Sequence, residues 1–286
     1  MSDLLADFTA RFVVDGVNAG QPVNGRIVMN REQLVLASDE SRVSVPLGEV
    51  FDVTVGHVPS DVTKFFDDSV TVAWRTGDGQ RVAVVEAGRD AVDQFATVLF
   101  KAELNGTKAA VVHPTRLGGR VLDTPATPAR VALRPGGVVF RGKREFDVDL
   151  SRVTKFEREK RTIAGRKRPA LVISHDEDGT DAESVVHVPS DRRFNILGRY
   201  LRQKYREAVA EVEDVSISEE GVQILVGLHA AGGLADPGSL LSDPGKADAV
   251  LKRLREKGLV ADGAGATTLT DTGRIVVNRR LEEVNN

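Results

Sequence analysis

Short apolar runs alternate with turn-forming residues in the first part of the chain. Seven such runs lie within residues 8–86, and dipeptides such as Asp15-Gly16 separate them. This alternation predicts seven short antiparallel strands. Four apolar residues then recur at a spacing of 3.6, namely Val92, Phe95, Val98 and Leu99. That spacing predicts one amphipathic helix over about Arg89–Leu104.

The same arrangement recurs about 103 residues later. The segments Arg26–Met29 and Val43–Leu47 are echoed by Arg130–Leu133 and Phe146–Leu150. A second helix is predicted from about Ser190 to Glu211, with a cap at its first residues. Seven strands closed by a terminal helix resemble a pleckstrin-homology-like barrel or sheet. The repeat therefore predicts two domains of this kind in tandem.

From about Ser216 the pattern becomes mainly helical. Ser218 is placed to cap a first helix, and Pro244–Lys257 forms a second helix that ends at Gly258. A short hairpin follows, and Thr270 precedes a last helix. Helices, a hairpin and a final helix are the layout of a winged-helix-like module.

These patterns define a fold class and three domains. We expect an α+β protein with two pleckstrin-homology-like domains, residues 1–106 and 107–212. A winged-helix-like domain at residues 213–286 completes the chain.

Composition narrows the class of function. The 286 residues include no cysteine, and no segment matches a phosphate-binding loop, a dinucleotide fingerprint or a nucleophile elbow. The five histidines are dispersed in sequence without metal-ligand spacing. We therefore expect a protein that is not an enzyme, with no cofactor and no metal. Neither a signal peptide nor a long apolar segment is evident, which predicts a cytoplasmic protein without membrane insertion.

Charge is strongly segregated along the chain. The net charge of −3 divides into −6 for residues 1–115, +8 for residues 116–210 and −5 for residues 211–286. The densest basic feature is a predicted hairpin carrying Arg158, Lys160, Arg161, Arg166, Lys167 and Arg168. These cations could bind a protein, a nucleic acid or an anionic membrane, or they could simply be solvated.

The matching place in the first repeat has the opposite charge. There, Asp61, Asp67 and Asp68 flank the aromatic pair Phe65 and Phe66. Adjacent residues of a strand point to opposite faces, so one aromatic ring is predicted to be available for an interface. An acidic loop against a basic hairpin would suit a symmetric homodimer.

A winged helix also raises the alternative of a DNA-binding transcription regulator. Its second helix is mildly basic, but the whole module carries −5 and the Gly263-Ala264-Gly265 turn has no arginine. DNA-binding domains normally have a basic surface, which weighs against nucleic acid as the partner.

The whole chain resembles the archaeal taxis protein CheF family. The resemblance is carried by "GRIVMNREQLVLAS" and "VSVPLGEVFDVTV" in the first repeat, "IAGRKRPALVIS" and "YLRQKYREAV" in the second, and "LTDTGRIVVN" near the end. It implies a cytosolic, non-enzymatic adaptor between the phosphorylated response regulator CheY and accessory proteins of the archaellum motor, with CheD as a further partner.

That resemblance directs attention to the last helix as the surface for CheY. An apolar stripe with arginine flanks is predicted there, consisting of Arg274, Val277, Arg280 and Leu281. The basic hairpin, together with Phe65 and Phe66, is predicted to contact the motor or a second copy of the chain.

Overall fold

The computed structural model describes most of the chain. The described residues are 3–17, 20–56, 68–177, 180–210, 212, 215–231, 236–241, 243–263 and 266–285. They divide into two compact units, of which the first comprises Met1–Lys108, Arg130–Leu133 and Val188–Gln203. The second unit comprises Ala109–Ala129, Arg134–His187 and Lys204–Asn286.

Seven antiparallel strands form the first sheet, followed by one helix. The elements are β1 (Ala6–Val14), β2 (Val23–Met29), β3 (Gln33–Ala37), β4 (Arg42–Pro46), β5 (Val50–Val55), β6 (Ser69–Thr76), β7 (Gly79–Glu86) and α1 (Arg89–Leu104). Their order in the sheet is β4-β3-β2-β1-β7-β6-β5. Within the described residues the two ends of this order, β4 and β5, are not paired with each other, so the sheet is open and does not close into a barrel.

The second sheet repeats this order. Its elements are β8 (Lys108–Leu117), β9 (Arg120–Val121), β10 (Thr127–Arg134), β11 (Gly137–Gly142), β12 (Phe146–Asp149), β13 (Val153–Ile163), β14 (Arg166–Glu177) and β15 (Thr180–His187), followed by the helix α2 (Asp191–Ala210). The order is β12-β11-β10-β8-β15-β14-β13, with the short β9 paired to β8. Apart from β9, the strands follow the same order as in the first sheet. The predicted duplication is therefore confirmed.

Apolar periodicity explains how α1 covers the first sheet. Val92, Phe95 and Leu99 are at most 3% exposed, so the face predicted from their spacing is the buried face. The Phe95 ring lies 5.4 Å from the ring of Phe8 on β1. The bounds predicted for this helix are confirmed.

The beginning of α2 belongs to the first unit. The Tyr200 ring lies 5.3 Å from that of Phe100 on α1, in an edge-on arrangement. One guanidinium nitrogen of Arg192, Nη1, donates to the carbonyl oxygens of Leu47 (3.0 Å) and Val50 (2.6 Å) and to Glu103 Oε2 (2.6 Å). Glu103 is only 3% exposed, so this is a buried ion pair with backbone contacts around it. The division into domains 1–106, 107–212 and 213–286 stays a prediction.

A helical module lies at the end of the second unit. It contains α3 (Glu219–Ala230), two 3-10 turns (Pro237–Leu240 and Pro244–Lys246), α4 (Ala247–Glu256), β16 (Val260–Gly263), β17 (Ala266–Leu269) and α5 (Asp271–Asn285). The Ser218 and Thr270 hydroxyls accept hydrogen bonds from the amides of Gly221 and Gly273, which caps α3 and α5. Pro244 starts a 3-10 turn rather than the predicted α-helix, and α4 follows it.

No helix in the described part of the chain combines the length and the apolar character needed to cross a membrane.

Candidate functional site

The basic hairpin is formed by β13 and β14. Its turn is Ala164-Gly165, with φ angles of +50° and +74°. Two successive residues with positive φ suit the right-handed twist of paired strands, and such a turn holds the hairpin in one register. That register pairs Arg161 with Arg168 and Lys160 with Pro169.

Strand alternation separates the six basic residues into two sets. Arg158, Lys160 and Lys167 share one face, and all three are exposed. Arg161, Arg166 and Arg168 share the other face, where Arg161 bridges to Glu159 (2.8 Å) and to Glu183 (3.6 Å). The hairpin thus presents two smaller positive faces, where the sequence suggested one dense patch.

The predicted acidic counterpart falls mostly on residues outside the described part of the chain. Phe65, Phe66, Asp61 and Asp67 all lie within residues 57–67. Their assignment to an interface stays a prediction.

One residue of the set predicted on the last helix is buried. The Val277 side chain is 1% exposed and packs in the apolar core of the module. Arg280 is exposed and Arg274 is partly exposed. The side chain of Leu281 lies outside the described residues. Of the three members whose side chains the structure describes, the two arginines are therefore the groups that a partner could reach.

A buried amide holds this helix against the second sheet. Asn278 Nδ2 donates to the carbonyl oxygens of Ser151 (3.3 Å) and, more weakly, Val153 (3.5 Å). Asn278 is 3% exposed. Because Ser151 lies between β12 and β13 and Val153 begins β13, the position of α5 depends on the fold of the second sheet.

Two histidines and a glutamate converge from two strands of the second sheet that are separated by one strand. His113 lies on β8, and His175 and Glu177 lie on β14, with β15 between them. One donor atom from each residue lies within 4.8 Å of the others. His175 and Glu177 are two residues apart on a strand and so share a face. These residues could hold a metal ion.

Ser184 connects the two imidazole rings. Its hydroxyl oxygen lies 2.7 Å from His113 Nδ1 and 2.9 Å from His175 Nε2. Ser184 lies at a register irregularity between β15 and β8, and irregularities of this kind re-aim a side chain. His113 also stacks on the Phe146 ring, with centroids 4.1 Å apart.

Burial controls the charge of these rings. Desolvation lowers the pKa of His113 and of His175 below the ordinary value, although the Glu177 carboxylate opposes the shift. Neutral imidazole is therefore favoured at neutral pH. The sequence offered one weak signal for this cluster, the spacing of His175 and Glu177 two residues apart. His113 lies more than sixty residues earlier in the chain, so its proximity to them could not be predicted.

The structure thus defines a class of protein: two duplicated open antiparallel sheets, each followed by a helix, with a C-terminal helical module. The chain belongs to the family described as Archaeal Chemotaxis signal transduction system protein F, whose model matches residues 4–207. It is 36% identical over 282 residues to Taxis protein CheF2 of Halobacterium salinarum, covering 98% of both chains. Taxis protein CheF1 of the same organism is 23% identical over 289 residues, covering 98% of this chain and 97% of that protein.

Family membership supports a role in chemotaxis signal transduction. Protein partners within that system follow as the general expectation. The alternative of a DNA-binding regulator gains no support from the family or from these relatives.

Proposed function

We propose that this protein is a non-enzymatic adaptor that links phosphorylated CheY to accessory proteins of the archaellum motor, with CheD as a further partner. The observation that carries the proposal is the match to taxis proteins along nearly the whole chain. An adaptor acts through surfaces that bind one state of a partner better than another, and the bound population then shifts. Recruitment to the cytoplasmic face of the motor is part of the proposal.

The modules in this proposal are two pleckstrin-homology-like domains and a winged-helix-like domain. Support for the first two comes from the order of seven strands and the helix that follows in each repeat. Support for the third comes from the succession of α3, α4, the β16–β17 hairpin and α5.

The CheY-binding surface in this proposal lies on α5, where Arg274 and Arg280 flank the buried Val277. Arg274 and Arg280 provide guanidinium groups, which suit an acidic, phosphorylated partner. Val277 supports the helix from the core side, and Leu281 remains in the predicted set. The exposed hairpin face of Arg158, Lys160 and Lys167 is proposed to contact the motor or a second copy of the chain, with Phe65 and Phe66 as the opposing loop.

Titration with CheY, with and without beryllium fluoride as a phosphoryl mimic, tests this function. We expect tighter binding of the activated form. The double substitution Arg274→Ala and Arg280→Ala should weaken it at least about tenfold, since lost charge-assisted contacts cost about 1.5–3 kcal/mol each.

The matched control removes two exposed cations elsewhere, with Arg158→Ala and Lys160→Ala. This control should bind CheY as the unaltered protein does. Equal affinity for both CheY states would refute the adaptor function. A state-dependent affinity unchanged by the α5 substitutions would move the CheY-binding surface away from that helix.

A further inference from the structure

We propose that His113, His175 and Glu177 form a binding site for a divalent transition metal ion of the zinc type. Strands β8 and β14, with β15 between them, bring the donors together, although His113 is more than sixty residues from the other two in sequence. Their donor atoms lie within 4.8 Å of one another. Ligands bound at about 2.0–2.2 Å in a tetrahedron are separated by little over 3 Å, so small side-chain rotations close the site.

The atoms available for coordination follow from the distances to Glu177. His113 Nε2 lies 3.4 Å from Glu177 Oε1, and His175 Nδ1 lies 4.0 Å from Glu177 Oε2. Glu177 Oε2 is buried and has no hydrogen-bond partner among the described residues. Both rings thus direct a nitrogen toward one carboxylate, and an ion between them would satisfy all three groups.

Ser184 supplies the supporting contacts that metal-binding histidines normally have. If His113 Nε2 and His175 Nδ1 coordinate the ion, the other nitrogen of each ring carries a proton. Both protons can be donated to the Ser184 oxygen, which has two acceptor lone pairs and lies at 2.7 and 2.9 Å. Such contacts hold the ring orientation and its tautomer, and losing them typically weakens metal affinity about 10–100-fold.

The donor set selects the class of ion. Two imidazoles and one carboxylate suit zinc, cobalt or nickel, whereas magnesium and calcium prefer oxygen ligands. Three protein ligands leave a fourth coordination position for water or another ligand. The three residues line a cleft of about 250 Å³. The cleft is lined in addition by four carboxylates and three other residues: Glu145, Asp147, Asp149 and Asp176, with Arg152, Phe146 and Val148.

The fold itself does not require these donors. Trp74 and Thr76 of β6 occupy the positions that His175 and Glu177 occupy in β14. The strand register establishes this correspondence, since Trp74 pairs with Arg81 of β7 and His175 pairs with Ala182 of β15. Trp74 is a core side chain that is 2% exposed. The same strand position can therefore be filled by apolar packing, and the histidine cluster is specific to the second repeat.

Calorimetric titration of the metal-stripped full-length protein with Zn²⁺, paired with Co²⁺ absorption spectra, tests the proposal. We expect one ion per chain and a Co²⁺ d–d band typical of low coordination number. His175→Gln and Glu177→Gln should each weaken Zn²⁺ binding at least about tenfold, and Ser184→Ala should have an effect in the same direction.

His229→Gln is the matched control, because it removes a histidine from α3, outside the cluster, and should leave the affinity unchanged. Circular dichroism verifies that each variant is folded. If the buried His175 cannot be replaced, the half-exposed Glu177→Gln variant decides the matter. Absence of Zn²⁺ binding, or binding that Glu177→Gln and His229→Gln affect equally, would overturn the proposal.

Discussion

Replacing Arg192 by alanine removes the cation that α2 places against the first sheet. Its Nη1 atom contacts Glu103 Oε2 at 2.6 Å and the carbonyl oxygens of Leu47 and Val50. The Glu103 side chain is 2% exposed and that of Arg192 is 18% exposed. In the variant, a buried carboxylate and two carbonyl groups lose this donor, although the Leu47 carbonyl keeps the amide of Val50.

The magnitude follows from this burial. Removing one partner of a buried ion pair costs about 3–5 kcal/mol, because the other charge stays buried and unpaired. Arg192 retains some exposure, so the lower end, about 3 kcal/mol, is expected. Arg199→Ala is the matched control on the same helix. Its partner is Asp52 at 3.0 Å, but Arg199 is 45% exposed, and such pairs contribute about 0–1 kcal/mol.

The chain contains a single tryptophan, which makes the assay selective. Trp74 is buried in the first sheet and reports on the first unit. Urea unfolding followed by its fluorescence would give the stability of that unit in each variant. Because the chain has two units, the Trp74 signal is read as the unfolding of the first unit alone.

Two results would refute this reasoning. One is an Arg192→Ala variant no less stable than Arg199→Ala. The other is a double variant, Arg192→Ala with Glu103→Gln, that is as unstable as Arg192→Ala at neutral pH. The neutral amide leaves no buried charge, so the double variant should recover part of the loss.

Three further predictions concern pH and backbone geometry. Burial raises the pKa of Glu103, although Arg192 opposes the shift, so the folded state binds this proton more tightly than the unfolded state. The stability contributed by protonated Glu103 is therefore fully present below the ordinary glutamate pKa of about 4.3, and it is lost as pH rises through the pKa in the folded state. Glu103→Gln should remove this pH dependence, as measured by urea unfolding across that pH range. Gly273→Ala would place a Cβ 2.0 Å from the Leu259 carbonyl oxygen. We expect this clash to destabilise the C-terminal module by about 1–3 kcal/mol, as measured by hydrogen exchange. Gly48→Ala is the control, because its Cβ would meet open space and the variant should be nearly as stable as the unaltered protein. Ala164→Asn should stabilise the basic hairpin by up to about 1 kcal/mol in calorimetry, since asparagine tolerates the positive φ better; a lower melting temperature would contradict this.

Local patterns in the sequence were sufficient for most elements. The spacing of Val92, Phe95 and Leu99 predicted α1 with its observed bounds, because a helix face is encoded by residues three or four positions apart. Ser218 and Gly258 marked the start of α3 and the end of α4 for similarly local reasons. The duplication was also evident, since both repeats carry the same order of strands and turns.

The sequence by itself thus determined the elements, their repetition and the segregation of charge. Only the tertiary structure decided which faces are covered. Val277 belongs to an apolar stripe that was predicted to bind a partner, yet its side chain is buried in the core of the module. The sequence could not distinguish these cases, because an apolar stripe has the same spacing whether it contacts a partner or its own module. His113, His175 and Glu177 meet because the strand order places β15 between β8 and β14. Pairing between distant strands is a property of the whole sheet, and no local spacing encodes it.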